Sequence, residues 1–266
     1  MRGRLRAFTS SEAMPRCQWR GVKKKSPMNR PFIVCHMMTA LDGKITGPYM
    51  NTQAIEAPAE EYERINNSYR PQAWLCGRVT TDENFTFYKK PALDENASSV
   101  PEGDYLAVEG AEMHYVSVDA SGRIGWDSNT LKYKDRPATH VIEVLTEKAS
   151  NAYRDFLRRK EISYIIAGKD RFDCRVASEK LKSLFNIETL MLSGGGFVNW
   201  SFLQAGLVDE LSLLIAPLAD GETGTVTLFE KSDYLPATAP AEFALKSVEK
   251  TKGDSVWLRY SVKNKP

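Results

Sequence analysis

The sequence has few of the residues that build metal centres and cross-links. Its three histidines, His36, His114 and His140, are isolated from one another, and its four cysteines, Cys17, Cys35, Cys76 and Cys174, include no C-x-x-C pair. That spacing excludes the usual zinc sites and a disulfide framework. Cys35 and Cys76 fall inside apolar, strand-like runs and read as buried thiols in a reducing compartment, so the expected setting is the cytoplasm. No apolar stretch approaches the length that crosses a bilayer. Internal repeats and low-complexity segments are also lacking.

Acid is scarce at the start of the chain. Residues 1–27 hold eight Lys/Arg against Glu12 alone, and removing them from the overall charge of +2 leaves 28 basic and 33 acidic residues, a net charge of −5. A mildly acidic body argues against a basic groove for nucleic acid and points to a small-molecule partner. The basic head has no apolar run like that of a signal peptide. We expect it to be a disordered extension, or an over-called start with Met28 as the true first residue. Its Arg-rich, acid-poor composition also fits an organellar transit peptide. Residues 28–266, in a chain with 42% hydrophobic residues, are expected to form one domain with a substantial core.

What is present is a regular alternation. Short β-rich runs at 140–145, 163–167, 188–192 and 211–215 are separated by stretches with apolar residues at helical spacing: Ala149, Ala152, Tyr153, Phe156 and Leu157, then Ala177, Leu181, Leu184 and Phe185. The first half repeats the theme, with a strand over 32–38, a helix near 57–69 presenting Tyr62, Ile65 and Tyr69, a strand over 73–76 and a further helix after Gly77. Strands alternating with helices mean a mostly parallel sheet with right-handed crossovers. Residues 85–117 and 119–137 read as loops flanking one strand, 113–118. The segments 243–248 and 256–262, around Lys252-Gly253-Asp254, read as an antiparallel hairpin at the sheet edge. The run Leu211–Ile215 is expected in the centre of the sheet.

Three strand ends carry candidate chemistry. In Leu190-Met191-Leu192-Ser193-Gly194-Gly195-Gly196, an apolar strand meets three glycines and then a helix with Val198, Phe202 and Ala205 inward. Glycines let backbone approach a ligand closely, and the N–H groups of a helix N-terminus attract an anion such as a pyrophosphate. A plain tight turn accounts for the triplet equally well. Cys76-Gly77-Arg78-Val79-Thr80-Thr81 again opens a helix at a strand end, with Thr80 or Thr81 available as a cap and Arg78 as a fork for a phosphate. Met37 to Ile45 breaks a strand at Asp42-Gly43, where a simple turn is the common meaning. His36 within that strand has the character of a core histidine.

Together these segments resemble the reductase family of riboflavin biosynthesis, the domain fused to a deaminase in many bacteria. The resemblance runs from about Pro31 to the C-terminus. It rests on Ala40-Leu41-Asp42-Gly43-Lys44, on Gly77-Arg78-Val79-Thr80, and on Gly194-Gly195-Gly196 continuing through Asn199, Ser201-Phe202-Leu203, Gly206 to Leu211 and Ala216-Pro217. The deaminase zinc motif is absent from the sequence. The resemblance implies a dihydrofolate-reductase-like α/β fold: a mostly parallel central sheet, helices on both faces and a C-terminal antiparallel hairpin. It implies NADPH as cofactor, with Gly77, Arg78 and Thr80 on its adenosine side and 2′-phosphate. Gly194, Gly195 and Gly196 would hold the pyrophosphate, Thr146 would lie near the adenine-side phosphate, and Thr39 and Ala40 would face the nicotinamide.

The implied reaction is reduction of a ribosylaminopyrimidine 5′-phosphate, with His36, Asp42 and Ser193 as candidate catalytic positions and a homodimer as the assembly. Where the riboflavin enzymes commonly have Lys in the first strand, Ser before Leu-Asp-Gly and Glu before the glycines, this chain has His36, Ala40 and Ser193. The cofactor half of the pattern is kept and the substrate half altered. A pterin, folate or other heteroaromatic substrate is the alternative, as is an NADPH-binding module without turnover.

Overall fold

The computed structural model describes residues 29–263, so the expectations placed on residues 1–27 lie outside the described residues. The described residues form one ten-stranded sheet. In chain order the strands are β1 (Phe32–Thr39), β2 (Ala73–Gly77), β3 (His114–Val118), β4 (Thr130–Leu131), β5 (Thr139–Leu145), β6 (Ser163–Ile166), β7 (Thr189–Leu192), β8 (Glu210–Ile215), β9 (Phe243–Lys250) and β10 (Val256–Val262). The helices are α1 (Glu56–Ser68), α2 (Arg78–Thr81), α3 (Asn151–Arg159), α4 (Cys174–Phe185) and α5 (Gly196–Gln204). Strand order is β4-β5-β3-β2-β7-β1-β8-β10-β9, with β6 also paired to β5. Strands β1, β2, β3, β5, β6, β7 and β8 run parallel, while β4 and β10 are antiparallel to their neighbours and β9 closes the hairpin.

Period-two alternation decides which helix each strand residue meets. Ile33, Cys35 and Met37 of β1, Ala73 and Leu75 of β2, and Leu190 and Leu192 of β7 pack with Ala177 and Leu181 of α4 and Phe202 and Leu203 of α5. Their neighbours Val34, Trp74, Cys76 and Met191 face the other way, toward Tyr153, Phe156 and Leu157 of α3. On that same side Ile65 of α1 packs on Leu214 and Trp257, with Tyr62 and Tyr69 beside it. Helices therefore cover both faces. The strand Leu211–Ile215 lies inside the sheet, between β1 and β10.

Three details differ from the sequence reading. Leu184 of α4 is 37% exposed, because Leu181 and Phe185 complete the inward stripe without it. The span read as loop over 119–137 contains β4, whose two residues are too few for any alternation to register in the sequence. The helix after Gly77 is a single α-turn continued by a π-turn over Asp82–Thr86. The three described thiols are free and buried, and burial pushes Cys76 up to about 12 and Cys174 to about 11, so both stay protonated and unreactive.

Candidate active site

The order β2-β7-β1 places a late strand between two early ones, which is where the winding of the sheet reverses. Ligands of open α/β sheets collect outside the carboxyl ends of the strands at such a point. Thr39 ends β1, Gly77 ends β2, and Ser193 follows β7, so the three singled-out segments emerge side by side. Gly77 N–H donates to Gly194 O at 3.0 Å and Ser193 N–H donates to Leu75 O at 2.9 Å, tying the two turns together.

Each glycine is there for its own reason. Gly194 has φ +115°, a conformation side chains disfavour. At Gly196 a Cβ would sit 2.5 Å from Thr227 O, and at Gly77 it would sit 2.8 Å from Val198 Cγ2, so both are demanded by packing. Gly195 is different. Its φ is −55°, and a Cβ there would meet only Thr80 Oγ1, at an ordinary 3.6 Å. Nothing inside the protein requires glycine at 195. It is also the N-cap of α5, with no side-chain cap, so the helix presents its amide end toward Thr80. An open backbone at an uncapped helix end suits a pyrophosphate.

The neighbouring cofactor candidates are placed as follows. Arg78 is part-exposed and its Nη1 donates to Asp82 at 3.0 Å, so a phosphate would share it with a carboxylate. Neither Thr80 nor Thr81 caps α2, correcting the sequence reading: Thr81 is buried, and its hydroxyl turns back to Gly77 O at 3.2 Å and to Tyr115 and Ser117. Thr146 follows β5 at the same edge. It is buried, and its hydroxyl donates to Ala120 O at 2.6 Å. Ala40 is buried against Tyr49, Ile55 and Ala216, and Ala216 N–H donates to Thr39 O. Asp42 pairs with Lys44 at 3.2 Å, and Lys44 pairs with Asp220 at 2.8 Å. Asp220, 176 residues from Lys44, carried no local signal in the sequence.

His36 is fully buried on the α1 face, stacked on Tyr62 with ring centroids 4.2 Å apart. Its Nε2 contacts Tyr62 O at 3.0 Å and its Nδ1 contacts Ser212 Oγ at 3.0 Å. Nδ1 also lies 3.3 Å from Ser212 O, so each nitrogen faces a carbonyl, and the shorter contact, to Tyr62 O, favours the proton on Nε2. Ser212 Oγ takes the Trp257 indole N–H at 2.8 Å and can donate its own proton to Nδ1. Burial pulls His36 down to about 4, the bonds to Tyr62 and Ser212 oppose the shift, and the Arg136 charge adds to it.

Beside the glycine turn, on the α1 face, lies a cavity of about 110 Å³ lined by Tyr62, Glu63, Trp74, Cys76, Thr80, Asn84, Phe85, Tyr133, Arg136 and Ser193. The sequence reading found Thr80 and Ser193 but none of the aromatic wall. Ser193 Oγ is buried and makes no hydrogen bond of good geometry, although it lies near enough to Tyr62 to oppose the rise that burial imposes on that phenol.

Residues 31–257 match the model of the RibD C-terminal domain. The chain belongs to this family. It is 27% identical over 234 residues to the 2,5-diamino-6-ribosylamino-4(3H)-pyrimidinone 5′-phosphate reductase of Methanothermobacter thermautotrophicus, covering 88% of this chain and 99% of that one. The reductase of the same name from Aquifex aeolicus is 27% identical over 210 residues, 76% of this chain and 83% of its own. Among solved structures, a pyrimidine reductase-like protein of Corynebacterium diphtheriae superposes with a TM-score of 0.62 at 16% identity, covering 89% of this chain and 93% of that one. The Saccharomyces cerevisiae riboflavin biosynthesis reductase gives 0.56 at 16% identity, covering 90% and 93%. The fold is dihydrofolate-reductase-like, as in this RibD family. Among the described residues no helix is long and apolar enough to cross a membrane, and no three His, Cys, Asp or Glu cluster as a metal site.

Proposed function

We propose that this protein is a reductase of riboflavin biosynthesis that uses NADPH to reduce a ribosylaminopyrimidinone 5′-phosphate. The observation that carries the proposal is a juxtaposition. The open turn at Gly195 and the aromatic cavity share Thr80 and have Ser193 at their boundary, so an anion held at the turn and a ring held in the cavity would lie next to one another. The residues fit the cofactor where the geometry can be tested: Gly195 and the uncapped end of α5 would take the pyrophosphate, with Gly194 and Gly196 shaping the turn.

Arg78 and Thr80 would hold the 2′-phosphate side, Thr146 the adenine side, and Thr39 and Ala40 the nicotinamide edge. NADPH, when bound, supplies a hydride. The protein supplies position, which can account for several kcal/mol of barrier lowering. Asp42, tied to Lys44, keeps a carboxylate at the β1 end of the site. Ser193 offers its hydroxyl to the substrate. His36 acts as a neutral organiser of β1, β8 and α1: with both nitrogens engaged and its pKa near 4, it takes up no second proton at neutral pH. Homodimer formation is part of the proposal and is read by light scattering.

Calorimetry with NADPH and NADH, followed by NADPH oxidation with the diaminopyrimidinone ribotide and with dihydrofolate, tests the reading. Binding of NADPH and turnover with the ribotide are expected. Turnover with dihydrofolate alone transfers the proposal to a folate substrate, and absence of NADPH binding ends it.

A further inference from the structure

Among the described residues, Arg136 is a buried charge that the proposed function leaves without a role. It comes from the loop after β4, yet its side chain is 4% exposed. The guanidinium lies over the Trp74 ring, 4.2 Å from the centroid, and 5.4 Å from the centroid of Tyr133. Its Nε and Nη2 both donate to Glu63 Oε2, at 3.0 and 2.8 Å. That uses the fork side of the guanidinium. Nη1 is buried without any partner, and so is Trp74 Nε1, while Ser193 Oγ has only a poorly aligned contact with Tyr62; all three residues line the same cavity. An unpaired donor on a buried cation is costly, and native proteins retain such groups where something else satisfies them.

The electrostatics agree with the geometry. Arg136 acts on His36, Tyr62 and Cys76, placing its charge at the cavity and not at the surface. Glu63 does not fully cancel it, because Lys134 also lies 3.6 Å from Glu63 Oε1. The charged residues of the lining are Arg136 and Glu63, one of each sign, and the unpaired polar atoms they and Trp74 leave toward the wall include the donors Arg136 Nη1 and Trp74 Nε1. The wall is complementary to an acceptor on a flat ring.

We propose that Arg136 is a specificity-determining binding residue, whose Nη1, with the Ser193 hydroxyl, takes a ring carbonyl of a pyrimidinone held in the cavity beside the packed cluster of Trp74, Tyr133 and Phe85. A phosphate is the poorer match: the fork that would grip it bidentately is spent on Glu63, and the walls are aromatic. Solvent does not reach Nη1, so a ligand engages it through a small shift of the loop carrying Arg136. This inference rests on the proposed substrate class.

The test uses the full-length protein with Arg136→Met and with the double variant Arg136→Met/Glu63→Gln, which removes both charges together and so avoids stranding a buried carboxylate. Loss of one charge-assisted hydrogen bond corresponds to a KM for the ribotide raised by about 10- to 100-fold. The kcat should change less than about threefold, and NADPH affinity should hold. Competitive inhibition by the free pyrimidinone base should weaken by the same factor, while inhibition by ribose 5-phosphate stays constant. Weakened ribose 5-phosphate binding with intact base binding overturns the assignment in favour of a phosphate site. A double variant with normal KM and only an altered melting temperature overturns it in favour of a structural ion pair. If the wild type lacks turnover altogether, the proposed function has failed, and the rise in melting temperature caused by the base, in wild type against double variant, still reads the Arg136 contact.

Discussion

The two faces of the sheet are built from different chemistry. Beneath α4 and α5 the fully buried apolar strand residues include Ile33, Cys35, Ala73, Leu75, Val116, Ile142, Val144, Ile165, Leu190 and Leu192, with Phe202 packed on them. On the other face His36, Ser117, Glu143 and Ser212 are equally inaccessible, and the cavity with Arg136 opens there. The first face buries mainly apolar area, with His114, His140 and Ser163 as buried polar strand residues among it, and so holds the fold together. The second retains polar groups whose burial costs free energy unless they are paired. The substrate contact proposed for Arg136 lies on this second face.

The largest effect should come from breaking the apolar face. Phe202→Ala removes a fully buried ring between α5 and the sheet, and truncations of this type cost about 3–5 kcal/mol. Urea unfolding should show that loss, while the folded fraction keeps the wild-type KM for the ribotide. A changed KM with little loss of stability would contradict the division between the faces.

Next in size is the response of the polar face to acid. The folded-state pKa of His36 lies near 4, below its ordinary 6.5, so the unfolded chain takes up a proton that the folded protein refuses. Stability is fully present above pH 6.5 and is lost as the pH falls toward 4; the depressed value corresponds to on the order of 3 kcal/mol. His36→Gln should remove part of the decline in urea midpoint between these limits, the rest belonging chiefly to His140, which burial pulls down to about 4 on the opposite face. An unchanged slope would mean that His36 does not carry it.

How well each face can be read from sequence follows from the same contrast. The helix and strand pattern was legible because α3, α4 and the strands bury one face or both, which writes a period into the chain: Tyr153, Phe156 and Leu157 are all buried, as their spacing requires. The glycine turn was visible as an interruption of that period, though its cause was not, since only coordinates separate the packing demands at Gly196 from the open space at Gly195. Arg136 left no trace. It sits in an aperiodic loop, its partner Glu63 is 73 residues away, and an arginine in a loop reads as surface until tertiary structure buries it. Asp220, the partner of the motif residue Lys44, escaped for the same reason of distance.

Three substitutions sharpen the comparison at the cofactor edge. Gly195→Ala fits the protein at 3.6 Å from Thr80 Oγ1, so its melting temperature should match wild type, while NADPH affinity falls by about tenfold or more, at least 1.4 kcal/mol. Gly196→Ala should instead lower the melting temperature, because its Cβ meets Thr227 O at 2.5 Å. Equal affinity for NADPH in Gly195→Ala would remove the turn from the site. Arg78→Ala should weaken NADPH by about tenfold, at the low end for a charge-assisted contact because Asp82 competes for the guanidinium. NADH should bind as before, and calorimetry with both nucleotides separates the cases.

The smallest effect returns to the polar face with the opposite sign to that of His36. Glu143 is fully buried; Trp126 Nε1 donates to its Oε1, and Oε2 has no partner. Burial, and then the charge of Asp119, pushes its carboxyl well above the usual 4.5, so the folded protein keeps a proton that the unfolded chain releases. The folded state is therefore disfavoured above pH 4.5, and increasingly so as the pH rises. Glu143→Gln keeps an acceptor for Trp126 and has no proton to lose. It should stabilise the protein by about 1 kcal/mol at pH 8 and by nothing near pH 4.5, the gain being limited by imperfect fit of the amide. If the variant is instead less stable at every pH, Glu143 is ionised in the folded protein, and the polar face holds a charge that Trp126 stabilises.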